Sequence, residues 1–453
     1  MISKILPLSI YPDIRDIFKN SWPILGVMLS NFIVGYTDVY VAGLIGYRTQ
    51  AVVGLVNQIF FLSIIVGNAI AVGTVALMSR AFGKGDYDLV RRLTLQSMML
   101  AVVIGGLLSI GIFSIAPLVV SCFHISEDLI SEATSFLRVF SFAIFFNYII
   151  IMGSAILRST NRPHKAFAVI GISTLINVPG DFFLTFGFGS FHGFGSIGIA
   201  CSTVAALAVG TFITMQFVVK PYGLRIKSYL QSFSRVHLRQ IIKISWPSAV
   251  LQLAFQGGTL VLYRYLTALG SYGTIAMAAY TNGIRIESII FLPAFAVNMA
   301  VAVLVGQSLG RESIEHARRI AYTAALVTIV ILFPVAFFLF WKAPFVATWL
   351  SNNPDVCEET ARYIRINTAF YPLLVMSIVF GGAMQGAGDT RGAMWIIVTA
   401  VWIIRVPLAG VFALVLSWGA AGVWWAMACS MTFQGISMFL RFRTSAWYHS
   451  FSK

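Results

Sequence analysis

The stretch LTLQSMMLAVVIGGLLSIGIFSIAPLVV (93–120) runs for 28 residues without a charged side chain. About 20 such residues, coiled at 1.5 Å each, cross the roughly 30 Å hydrocarbon core of a bilayer. It begins just after Arg91 and Arg92 and is one of many similar blocks separated by short polar connections. Over all 453 residues, hydrophobic side chains make up 58% and charged ones 10%. A soluble domain carries nearer 25% charged residues, so most of these side chains cannot face water. The chain reads as an all-α polytopic membrane protein. Twelve spans fit, at about 22–45, 52–79, 93–120, 129–156, 166–188, 196–219, 246–269, 275–308, 317–341, 361–384, 392–415 and 419–441.

The charges test that partition. Lys and Arg number 31 against 16 acids, a net +15. Of the basic residues, 23 fall on the side that holds both termini and the 2–3, 4–5, 6–7, 8–9 and 10–11 connections, Lys4, Arg225, Lys227 and Lys453 among them. Arg48, Lys342, Arg362 and Arg365 are the 4 on the other side. This asymmetry places both termini in the cytoplasm, and the expected location is the cytoplasmic (inner) membrane of a prokaryote. The basic surplus is then an orientation signal and needs no nucleic acid partner. Residues 1–21 read as a cytoplasmic segment, 22–219 as one six-helix bundle and 220–245 as a cytoplasmic linker. A second bundle follows over 246–441, with a cytoplasmic tail at 442–453.

The chain also repeats itself. Ser-Trp-Pro at 21–23 returns at 245–247, an offset of 224. SRAFGKGDYDLVRR (79–92) returns as GQSLGRESIEHARR (306–319), an offset of 227. AILRSTNRP (155–163) aligns with AMQGAGDTR (383–391), an offset of 228. Two pseudo-symmetric bundles of six helices in the same orientation follow from this, a plan suited to alternating access in a transporter.

Three of the 16 acids fall inside spans: Asp38, Asp181 and Glu287. An ionisable group at membrane depth is costly and marks function by default, the rival reading being a structural ion pair. Asp38 and Asp181 lie roughly 24 and 22 Å from the cytoplasmic ends of their spans, at 1.5 Å per residue. Asn177 shares the helix face of Asp181, and Thr203 on the next span reaches the same level. Pro179 and Gly180 loosen the helix there. Two carboxylates with an amide and a hydroxyl suit a hard monovalent cation such as Na+, or protons. The repeat positions of the two acids are Leu262 and Ala409, so the second bundle lacks them. Glu287, Arg285 and Arg405 read as either cavity charge or structural charge, with Arg264 or Arg405 as a partner for Glu287.

Other signals point away from enzymes and cofactors. GFGSIG (193–198) matches GxGxxG but joins two membrane helices, where a turn or close packing explains it better than a nucleotide. No GxxxxGK[ST] is present, so ATP is not a direct energy source. The four cysteines form no CxxC pair, and the six histidines, His124 and His449 among them, form no HxxxH. GQSLG (306–310) fits the GxSxG spacing but ends a membrane span rather than a strand-to-helix turn, which leaves no hydrolase constellation.

SWPILGVMLSNFIVGYTDVYVAGLIG (21–46) and SRAFGKGD resemble signatures of the multidrug and toxic compound extrusion family. So do NVPGDFFLTFG, GFGSIGIACST, AAYTNGIRIESIIFLPAFAVNMAVAVLVGQSLG and GAMQGAGDTR, in an order that covers about residues 20–440. The resemblance implies an antiporter that exports small organic, often cationic, compounds in exchange for H+ or Na+. It further implies cation coupling at Asp38 and Asp181, with Asn177 and Thr203 beside them. AVLQLAFQGG and NTAFYPLLVMS hold no acid where NorM-type members carry one, which favours the DinF-type branch. The expectation is a monomeric antiporter without a cofactor. The alternative is a lipid-linked saccharide flippase of the same superfamily.

Overall fold

The computed structural model describes residues 10–123, 126–220, 234–444 and 446–448. Lys4, His124, Pro221, Gly223, Arg225, Lys227, His449 and Lys453 lie outside the described residues. With no water in hydrocarbon to satisfy backbone groups, apolar runs of this length coil into helices. The first six are α1 (Ile10–Ile45), α2 (Tyr47–Lys84), α3 (Tyr87–Ser121), α4 (Glu127–Ser159), α5 (Pro163–Phe186) and α6 (Ser196–Val218). A small antiparallel hairpin, β1 (Gly187–Phe188) with β2 (Phe191–His192), joins α5 to α6. Then come α7 (Arg235–Thr267), α8 (Gly273–Gly310), α9 (Ile314–Trp341), the short α10 (Ala343–Thr348), α11 (Pro354–Thr368) and α12 (Tyr371–Gly386). The last span but one is α13 (Thr390–Val398) and α14 (Val406–Gly410), with π-helical turns at Thr399–Arg405 and Val411–Val415. The final helix is α15 (Ala420–Arg443).

Among the described residues, ten helical stretches are long and apolar enough to cross a bilayer, and α11 with α12, bent by 57° at their break, makes an eleventh. The twelfth is α7, whose 33 residues suffice in length but whose apolar run is diluted by Gln252 and Gln256. The span expected at 361–384 is therefore two helices. Pro372 in the first turn of α12 has no N–H to continue the ladder of α11.

Two helices begin earlier than hydropathy indicates. α1 starts at Ile10 rather than 22, because Ile17 joins a hydrophobic core and Asp13 pairs with Arg319 at 2.6 Å. α7 starts at Arg235, inside the expected linker, where Ile241 enters a core and Gln96 Nε2 donates to the Ser234 carbonyl at 2.6 Å. These extensions assign the chain to two compact units with an exchange of ends. One unit is Trp22–Ser245, and the other is Met1–Ser21 together with Trp246–Lys453. Both crossings fall in a Ser-Trp-Pro repeat.

In the Trp22–Ser245 unit, α4 packs against α2, α3, α5 and α6, burying Phe136, Phe140 and Tyr148. In the other unit α12 packs against α8, α9, α13 and α15. Large apolar side chains such as Leu107, Ile110, Leu118 and Leu175 remain exposed, as a lipid-facing surface requires.

GFGSIG performs close packing. Gly195 precedes α6 at φ 61°, and a Cβ on Gly198 would lie 2.7 Å from Thr185 N. The repeat copies this at Gly419 (φ 59°) and Gly422, whose Cβ would lie 2.6 Å from Ala413 N. Gly198→Val is expected to destabilise the purified protein by about 1–3 kcal/mol through overpacking. Gly111→Ala, with open space around the new methyl, serves as the near-neutral control in the same denaturation assay. Equal stability of the two variants would contradict this packing.

Candidate functional site

The close approach of α5 and α6 positions a polar cluster within the Trp22–Ser245 unit. Gly180 lets α6 come so near that a Cβ there would lie 2.6 Å from Ser202 Oγ. That contact brings Ser202 Oγ to donate to the Asn177 carbonyl at 2.9 Å. Pro179 sits in the same turn and, having no N–H, leaves the Leu175 carbonyl without its usual helical donor. α5 nevertheless runs unbroken from Pro163 to Phe186.

Asn177 is the hub. Its Nδ2 donates to Asp181 Oδ1 at 3.2 Å and to Thr203 Oγ1 at 3.1 Å. From α1, the Asp38 carboxyl comes within electrostatic reach of the Asp181 carboxyl. Asp38 is 3% exposed and Asp181 0%. The four residues singled out in the sequence are thus brought together. Asp38 Oδ1, Asn177 Oδ1 and Asp181 Oδ2 are buried and have no hydrogen-bond partner. Two facing carboxylates repel each other unless a proton or a cation stands between them. The unpartnered oxygens are hard donors of the type alkali cations accept.

Ser202 and Thr185 were not singled out in the sequence. Ser202 lies beside Asp181 as well as Asn177, and Thr185 is buried with a free hydroxyl one turn beyond Asp181. The i, i+4, i+8 series Asn177, Asp181, Thr185 was the available signal.

The other unit differs. Leu262 and Ala409, at the repeat positions of the two acids, are fully buried apolar residues. Glu287 is buried and accepts from the Tyr363 hydroxyl at 3.1 Å, while Arg285 and Arg264 are exposed. Arg405 is buried, donates from Nε to Ser430 Oγ at 3.2 Å and lies over the Phe255 ring. Among the described residues no ion pair within 4.0 Å joins Glu287 to either candidate arginine. Glu359, expected outside the spans, is instead inside α11 and 1% exposed.

Comparison with known proteins agrees with this architecture. The family model described as MatE matches residues 23–183 and again 247–411, which reproduces the internal repeat. The chain is 25% identical over 444 residues to a probable multidrug resistance protein NorM of Thermotoga maritima, covering 98% of this chain and 95% of that one. It is 20% identical to the multidrug resistance protein MdtK of Yersinia pseudotuberculosis, covering 95% of each. A solved structure described as MATE in the bent conformation superposes with a TM-score of 0.88 at 21% identity, covering 97% of both chains.

Ser202→Ala removes the bond to the Asn177 carbonyl and is expected to cost roughly 0.5–1.5 kcal/mol in reversible unfolding from bicelles. Unchanged stability would show that the hydroxyl does not tie α6 to α5.

Proposed function

The chain belongs to the MatE family of transporters, and from that premise we propose that it is a secondary antiporter exporting organic, cationic or amphipathic compounds in exchange for H+ or Na+. The observation that carries this reading is the Asp38–Asp181 pair, two buried acids near each other with unpartnered oxygens. Such a pair has two states that differ by one positive charge, the minimum an ion-coupled cycle needs. Asn177 and Thr203 hold Asp181 in place, and Ser202 keeps the Pro179–Gly180 turn close to α6. That the two relatives are named multidrug resistance proteins supports the substrate class.

The coupling runs through α1. This helix carries Asp38 in one unit, while its first turns, Ile10–Ser21, belong to the other. Charge neutralisation at Asp38 relieves repulsion against Asp181 and shifts α1, and the shift reaches the second unit through continuous helix. Alternating access of the two bundles follows, with the ion entering from outside and the substrate released there. The 23-to-4 distribution of basic residues supports a cytoplasmic-membrane protein with both termini inside. The protein acts as a monomer, and the lack of a GxxxxGK[ST] motif supports a cycle that does not use ATP directly. The lack of acids in AVLQLAFQGG and NTAFYPLLVMS supports the DinF-type branch.

Proteoliposomes loaded with a fluorescent organic cation test the proposal under a pH gradient and, separately, a Na+ gradient. Export is expected to follow one gradient and to fall at least about tenfold, equivalent to about 1.4 kcal/mol, in Asp38→Asn and in Asp181→Asn. Both variants should still reach the membrane. Wild-type export by both would overturn the assignment of the coupling site.

A further inference from the structure

Six acids are buried among the described residues: Asp13, Asp38, Asp181, Glu287, Glu359 and Asp389. They divide into two sets by what their oxygens touch. Asp13 is held by Arg319 through Nε at 2.6 Å and a second nitrogen at 3.4 Å. Asp389 is held by Arg441 at 2.8 and 3.0 Å and also accepts from Gly392 N. Glu359 takes three donors: the Tyr272 hydroxyl and Trp424 Nε1, each at 2.7 Å, and Arg362 at 3.1 Å. These three are structural acids, with every oxygen satisfied and an arginine attached. Asp38, Asp181 and Glu287 each keep a buried oxygen without any partner. The second set coincides with the three acids that hydropathy places inside spans.

Glu287 is thus the counterpart, in its own unit, of the Asp38–Asp181 pair. Its Oε2 accepts from Tyr363, and its Oε1 is the free oxygen. The titratable and charged groups that face it are Tyr280 on its own helix α8, Tyr363 on α11, Tyr371 on α12 and Arg405 from the π-helical turn. α15 contributes neutral groups: Ser430 and Gln434 beside Arg405, and Trp424 against Tyr363 and Tyr280 at 4.9 and 5.7 Å. Arg405 lies within electrostatic reach of Glu287 yet bonds to Ser430 and rests on Phe255 instead.

A buried acid and a buried base that are near each other but unpaired leave two charges only partly compensated. A proton on Glu287 Oε1 removes the acid's share of that cost. When the proton leaves, the carboxylate has a counter-charge nearby, on a π-helical segment of the kind that often accompanies functional sites. A metal cation is a poorer occupant, because the Arg405 guanidinium already supplies positive charge. We infer that Glu287 is a second proton-exchanging carboxyl, located in the Trp246–Lys453 unit, with Arg405 as its counter-ion in the deprotonated state. The proton binds at Oε1 from water and returns to water, and no other bond is made or broken. This inference rests on the ion-coupled antiport proposed above, but it concerns different residues in a different unit.

The test is pH-difference infrared spectroscopy of the full-length protein in lipid bilayers, read at the C=O stretch of protonated carboxyl groups. Glu287→Gln is expected to delete a titrating band that survives in an Asp38→Asn/Asp181→Asn double variant. Glu287→Asp, which keeps the acid, should restore a titrating band and so separates proton exchange from mere loss of packing. A carboxyl spectrum unchanged by Glu287→Gln overturns the inference. So does the loss of every titrating carboxyl band in the double variant. Neither result touches the coupling role of Asp38 and Asp181, which the proteoliposome export of their own variants decides.

Discussion

A carboxylate inside a lipid bilayer has no water to stabilise it, so it must find an arginine, a proton or an ion. That constraint explains why acids at depth are so few, and burial within protein makes a similar demand of acids outside the spans. Acids buried outside the spans have guanidinium partners, as at Asp13–Arg319 and Asp389–Arg441. At Asp389 the arginine occupies space that only a glycine leaves open, since a Cβ on Gly392 would collide with the Arg441 guanidinium. Within the spans, Asp38, Asp181 and Glu287 each keep an oxygen free. The distinction is chemical, and it follows from the donors within a few ångströms of each acid.

Those donors are placed by helix proximity, and proximity is set by small residues. Gly180 and Gly198 let α5 and α6 approach until Ser202 bonds the Asn177 carbonyl and Asn177 reaches Thr203. A methyl at either glycine would push the helices apart by more than a hydrogen bond tolerates. The same glycine geometry recurs at Gly422, yet there it brings Ser430 to Arg405 rather than a hydroxyl to an amide. One scaffold, used twice, thus carries two different polar contents.

The exchange of helix ends gives the repeat a second consequence. Ile10–Ser21 and Arg235–Ser245 each belong to the unit opposite the rest of their helix, and each crossing falls in Ser-Trp-Pro. Proline lacks the N–H that would close the preceding turn, so a helix that passes between units here bends at lower cost than elsewhere. Ile17 and Ile241 anchor the two ends in separate hydrophobic cores.

Much of this was legible in the amino-acid order. Long uncharged runs can only be membrane helices, basic residues record orientation, and a repeat at offsets of 224 to 228 records duplication. Asp38, Asp181, Asn177 and Thr203 could be grouped because helical rise and spacing are regular enough to compute depth and face. Ends and breaks were not legible. Hydropathy averages over a window, so it misses the polar first turns of α1 and α7 and the Pro372 break between α11 and α12. The partners of Glu287 and Glu359 were hidden for a stronger reason: Tyr363, Tyr272 and Trp424 lie 65 to 87 residues away along the chain. The sequence by itself determined that this chain lives in a membrane, as two copies of one helical plan with acids at depth. Only the tertiary structure decided that Asp13, Glu359 and Asp389, outside the spans read from hydropathy, are held by arginine while the acids at depth each keep an oxygen free, because hydrogen bonding depends on distances that packing alone sets.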